Sequence, residues 1–110
     1  MQKLSLQARA RELLAQAASA PGGRTAQTVM GGHERVLRQT VIAMISGAEL
    51  SEHASPGEAS VYVLHGRVRL TAGSDAWDGR DGDLLVVPDA PHGLVALSDS
   101  AVLLSVAKAR

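Results

Sequence analysis

The 110-residue chain is 45% apolar and 20% charged with a formal net charge of zero, which fits one folded domain and excludes a disordered or fibrous chain. It has no cysteine, so disulfide scaffolds, thiolate zinc sites and thiol nucleophiles are excluded, and any metal must be held by His, Asp or Glu. Zero net charge and an aromatic set of only Tyr62 and Trp77 argue against a nucleic-acid partner, and no apolar run approaches the roughly 18 residues of a membrane span. The N-terminus, with Arg9, Arg11 and Glu12 inside its apolar stretch, makes a poor signal peptide, and a soluble, cytoplasmic protein is the expectation.

Residues 5 to 19 place Leu6, Ala10, Leu13, Leu14 and Ala17 at helical spacing, with Ser5 as N-cap and Pro21-Gly22-Gly23 as the stop. One short amphipathic helix follows, with residues 1–24 read as helix and linker. It lacks the aromatic anchors and strongly basic face of a membrane-surface helix, so it is expected to dock on the body, with no membrane partner. Up to residue 40, six basic side chains face two acidic ones; beyond it the balance reverses to five against nine. The two parts are expected to attract each other, within one subunit or across a dimer.

Residues 25–110 read as a single β domain. Ten of the eleven valines lie at or beyond Val36, in runs over 36–45, 60–71, 84–87, 94–97 and 102–106. Turn residues separate them: Ser46-Gly47, Ser55-Pro56-Gly57, Ala72 to Asp75, Asp78 to Asp83, and Pro88 to Pro91. Short strands without intervening helical periodicity predict an antiparallel sandwich or barrel, with a tight hairpin joining Arg67–Leu70 to Ala76-Trp77.

Two stretches carry a family resemblance. Gly47-Ala48-Glu49-Leu50-Ser51-Glu52-His53-Ala54-Ser55-Pro56-Gly57-Glu58-Ala59, continuing to His65-Gly66, resembles the first motif of the cupin family. Gly82-Asp83-Leu84-Leu85-Val86-Val87-Pro88-Asp89-Ala90-Pro91-His92-Gly93 resembles the second, in which a Gly-Asp pair, a short strand and a proline turn precede a histidine. The resemblance implies an all-β fold: a small jelly-roll (double-stranded β-helix) barrel of the RmlC-like, stand-alone kind, with a short N-terminal helix and a tendency to form homodimers. It also implies a metal centre built from two histidines and a glutamate of the first motif and a histidine of the second. His53 and His92 occupy two of those positions, while Ser55 and Ala59 replace the others.

That leaves the ligand set incomplete, since catalytic zinc sites use about three protein ligands and the iron facial triad needs two histidines and a carboxylate. A divalent metal (Zn, Fe, Mn or Ni) would need Glu58 or His33 as a third ligand. Glu58 is one residue from the glutamate position, and a bulge near Pro56-Gly57 would be required to turn it inward. No cofactor is therefore expected with certainty. The expected work is binding a small organic molecule in a polar cavity, with His53, Ser55 and His92 as contacts and the two histidines as candidate catalytic groups. The alternatives are a metal-dependent enzyme of the oxygenase or isomerase type and a metal-free isomerase or epimerase with a histidine base.

Other constellations read as structural. His33 and His65 are expected to be solvated, and Arg67 and Arg69 to share the outer face of a strand whose Val68 and Leu70 point inward. Ser51, Ser55 and Ser60 lack the G-x-S-x-G context of a serine hydrolase, and Asp75, Asp78, Asp81 and Asp83 do not follow calcium-loop spacing.

Overall fold

The computed structural model describes residues 2–54 and 57–108. After Ser5, whose Oγ accepts the Ala8 amide at 3.2 Å, α1 runs Leu6–Ala17. A short turn at Pro21–Gly23 ends it, with Gly22 and Gly23 both at positive φ, and leads directly into strand β1 (Arg24–Met30). The other strands are β2 (Leu37–Met44), β3 (Glu49–His53), β4 (Gly57–His65), β5 (Arg67–Ala72), β6 (Asp75–Arg80), β7 (Leu84–Val86), β8 (His92–Ala96) and β9 (Ser100–Lys108). They form two sheets with antiparallel pairing, in the orders β1-β2-β9-β4-β7 and β3-β8-β5-β6. This is the all-β jelly-roll arrangement. Among the described residues no helix is long and apolar enough to cross a membrane.

The five-stranded sheet is covered on both faces at its centre. Ile42 and Met44 of β2, Val61 and Val63 of β4 and Val102 of β9 point into the barrel against Val68, Leu70 and Leu94 of the other sheet. Val41, Ala43 and Ala101 point outward, where Ala10, Leu13 and Ala17 of α1 pack on them. Hence Val41-Ile42-Ala43-Met44 is an unbroken apolar run: alternation disappears when both faces are buried. In the four-stranded sheet β5 alternates as expected, with Val68 and Leu70 buried and Arg67 and Arg69 exposed.

The structure differs from the sequence reading at two places. The run over 60–71 is two strands in different sheets, divided at Gly66. There φ is 92°, and a Cβ would collide with the Asp99 carbonyl and Ser100 Oγ, so only glycine permits the corner. β3 has no β-branched residue, and β1 mixes Thr25, Thr28 and Val29 with Arg24, Gln27 and Met30, so neither stood out as a strand. Each lies at the edge of its sheet, where partial exposure lets polar side chains serve. The hairpin turn at Gly73-Ser74 sits as predicted, with Ala72 facing Asp75.

Candidate functional site

His53 and His92 meet at one end of the barrel because β3 and β8 pair His53 opposite His92. Their ring centroids are 4.8 Å apart in an edge-to-face arrangement. His92 is buried and His53 exposed. This meeting depends on a bulge. Leu50 pairs with Leu94 and His53 with His92, so three steps along β3 match two along β8. Strict alternation would turn Leu50 and His53 to opposite faces; the extra residue at Ser51-Glu52 lets both line the same interior space. Gly93 accommodates the bulge, because a Cβ there would lie 2.7 Å from the Leu50 carbonyl oxygen and 3.1 Å from the Glu52 amide nitrogen. Glu52 itself turns away and accepts the Gly73 amide at 3.1 Å, bracing the β5–β6 turn.

Each imidazole is held by the backbone. His53 Nδ1 lies 3.1 Å from the Ala54 carbonyl oxygen and His92 Nδ1 lies 3.1 Å from that of Ala90. A carbonyl only accepts, so in both rings Nδ1 carries the proton, and Nε2 of the neutral imidazole is left as an acceptor. The turn that supplies the Ala90 carbonyl is closed by the Ala90 amide donating to the Pro88 carbonyl at 2.8 Å. The proline turn read from the sequence thus orients His92.

The space beneath the pair is small and apolar. It measures about 30 Å³, with Ile42, Leu70 and Leu104 among its walls. A buried water needs roughly 10–15 Å³ on this measure and organic ligands about 300 Å³ or more, so the interior has room for water alone. The expected polar cavity is therefore an apolar interior closed by two imidazoles.

Neither rescue of the metal set is realised. β4 keeps an unbroken register against β9 from Gly57 to Val63, without a bulge, and the inward positions are Ala59, Val61 and Val63. Glu58, one residue before Ala59, is on the solvent side and exposed. His33 is exposed in the β1–β2 turn. Among the described residues no group of three or more His, Asp or Glu side chains is placed to hold a metal ion. Two imidazoles do not fit the three-ligand centres of zinc or non-haem iron. Ser55, the remaining expected contact, lies outside the described residues.

The expected solvated residues are on the surface. His65 is exposed, with Nδ1 3.8 Å from Asp81 Oδ2. Arg69 forms a two-point pair with Asp78, Nε to Oδ1 at 2.7 Å and a terminal nitrogen to Oδ2 at 3.1 Å. The hydrogen bonds from Arg69 hold the Asp78 carboxyl below the usual carboxylate range.

The fold and both motifs agree with the comparisons to known proteins. The cupin-domain family model matches residues 40–107, so this chain belongs to the cupin family. A conserved Streptococcus pyogenes protein of unknown function is similar over 99% of this chain and 89% of its own, at 24% identity and a TM-score of 0.75. An RmlC-like cupin from Shewanella frigidimarina is 27% identical over 81% of this chain and 79% of its own, with a TM-score of 0.69. KdgF from a Halomonas species is 26% identical over 83% and 84%, with a TM-score of 0.67. No curated protein sequence matches the chain.

Proposed function

We propose that this cupin binds a small hydroxylated or amino compound at the barrel mouth, through His53 and His92. The observation that carries the reading is the anchoring of both Nδ1 atoms to backbone carbonyls 3.1 Å away, which leaves two Nε2 acceptors on rings 4.8 Å apart. Such a pair suits a ligand that brings hydrogen-bond donors. With only about 30 Å³ behind the rings, the ligand's body rests outside, over exposed His53. The reading is of a binding module, since the side chains that line this space with the two histidines are all aliphatic among the described residues.

One observation favours a metal-dependent reading as the second: backbone anchoring of one ring nitrogen is also how metal-ligating histidines are held. Elemental mass spectrometry on untagged protein dialysed without chelator separates the two. The binding reading expects well under one metal per chain, and a thermal-shift panel of polyols, sugars and amino alcohols in which a compound stabilises the wild type but not His53→Ala. One metal per chain, lost in both His53→Ala and His92→Ala, overturns it, as does a panel in which nothing distinguishes wild type from His53→Ala.

The reading includes a homodimer. Tyr62, Leu84 and Val86 form an exposed apolar strip on the outer face of β4 and β7, beyond the edge of α1. Strips of this kind mark contact surfaces. Sedimentation velocity is expected to give a dimer for the wild type and a monomer for Val86→Lys; a wild-type monomer overturns the assignment.

A further inference from the structure

A recess far roomier than the barrel interior lies outside the barrel. Between α1 and the ends of β4 and β9 is an open groove of about 450 Å³, within the range of small-molecule sites. Its floor is apolar, made by Ala10 and Leu14 of the helix and Leu64 and Ala101 of the sheet. Gln7 and Arg11, one turn apart on α1, form one wall; His65 and Asp81 form the other.

The polar groups of the two walls are in different states. Neither the Arg11 guanidinium nor the Gln7 amide has a hydrogen-bond or ion-pair partner among the described residues, although Arg9 on the same helix pairs with Glu12 at 3.3 Å. Asp81 is committed: one oxygen accepts the Gly66 amide at 2.7 Å and the other faces His65. Asp81 is thus engaged within its own wall, and the guanidinium stands without a partner over an apolar floor.

We propose that this groove binds a small organic acid, with its carboxylate on Arg11 and Gln7 and its apolar body on Ala10, Leu14, Leu64 and Ala101. A guanidinium offers the planar fork that a carboxylate accepts in two bonds. Gln7, four residues earlier on the same helix face, adds an amide donor. His65, steadied beside Asp81, contacts the far end of the ligand and selects for a polar substituent there. The site shares no lining residue with the His53–His92 mouth, so it stands or falls independently of that reading.

The test is an amide-resolved NMR titration of the full chain with sodium hexanoate, and with hexanol as the neutral control. Saturable shifts are expected at Gln7, Arg11, Leu64, His65 and Asp81. Arg11→Gln, at an exposed helix position, is expected to weaken hexanoate about tenfold while leaving distant resonances in place, because one charge-assisted contact is lost. Hexanol is expected to bind about tenfold more weakly than hexanoate to the wild type, for the same reason. Equal binding of the two overturns the carboxylate assignment. Shifts centred on His53 and His92, or on Tyr62, Leu84 and Val86, overturn the location. Groove shifts that follow protein concentration and ignore hexanoate show that a second copy fills it, which also overturns the proposal.

Discussion

The barrel mouth sets two imidazoles 4.8 Å apart over about 30 Å³ of apolar space, whereas the groove beside α1 encloses about 450 Å³ between a guanidinium and an imidazole. The mouth is built by strand register: β3 and β8 fix which side chains meet, and inward-pointing Leu and Val residues take the volume. The groove is built by a helix laid on a sheet, and a cylinder on a twisted surface leaves room along its flank. One recess therefore has oriented polar atoms and almost no room; the other has room and polar atoms held less firmly. A family's interior site is no guide to where space remains once large apolar residues have filled it.

The largest effect is expected from making the mouth resemble the groove. Leu70 is 1% exposed and lines the interior space. Leu70→Ala should destabilise the protein by about 2–5 kcal/mol, read from the urea midpoint, because it removes buried methyl groups and leaves a cavity. If the barrel persists, benzene should raise the melting temperature of the variant and not of the wild type, since a dry apolar void takes apolar guests. A loss below about 1 kcal/mol would mean that the interior is already loose, and the volume contrast between the two recesses would fail.

A smaller effect, specific to the mouth, is expected at Gly93. The Cβ of Gly93→Ala would press on backbone at Leu50 and Glu52, atoms that cannot swing aside as a side chain would. Overpacking of this kind costs about 1–3 kcal/mol. The bulge should shift and take His53 away from His92, so the imidazole resonances of both rings should move while Arg11 and Gln7 keep theirs. Unchanged histidine resonances would show that the bulge does not position His53.

Gly93 also marks how far the sequence could be read. The two motifs, the helix with its Ser5 cap, the turns and the inward Val68 and Leu70 were all legible, because each rests on local spacing or on glycine and proline punctuation. His53 and His92 were legible as a pair. The bulge that joins them was not: the sequence named a bulge only as the condition, near Pro56-Gly57, for Glu58 to turn inward, while the observed one lies at Ser51-Glu52 and brings His53 inward. A bulge is a property of two strands together, and its trace in this sequence is a glycine some 40 residues later that periodicity does not single out. The volume of the interior was illegible for the same reason, since it depends on how Ile42, Leu70 and Leu104 from three strands converge. The groove went unread because Arg11 and Gln7 lie on α1 and Asp81 and His65 on the sheet side, far apart in the chain.

The mildest perturbation acts on the groove wall alone. Ser5→Ala removes the hydroxyl that caps the Ala8 amide, which costs about 1 kcal/mol and, for a domain of this size, about 4 °C in melting temperature. Ala10, Leu13 and Ala17 still hold the helix on Val41, Ala43 and Ala101, so the barrel should be unaffected. The loss should concentrate in the first turn, where Gln7 sits, and appear as faster amide exchange there with no change at His53 or His92. Ser5→Asp, which keeps a capping oxygen and adds a favourable charge at the helix start, should restore the exchange rates. Hexanoate affinity should fall in Ser5→Ala by less than in Arg11→Gln, because a frayed first turn weakens the Gln7 contact and leaves the guanidinium in place. An equal or larger fall would move the main contact from Arg11 to the first turn, and the groove would then depend on helix order more than on charge.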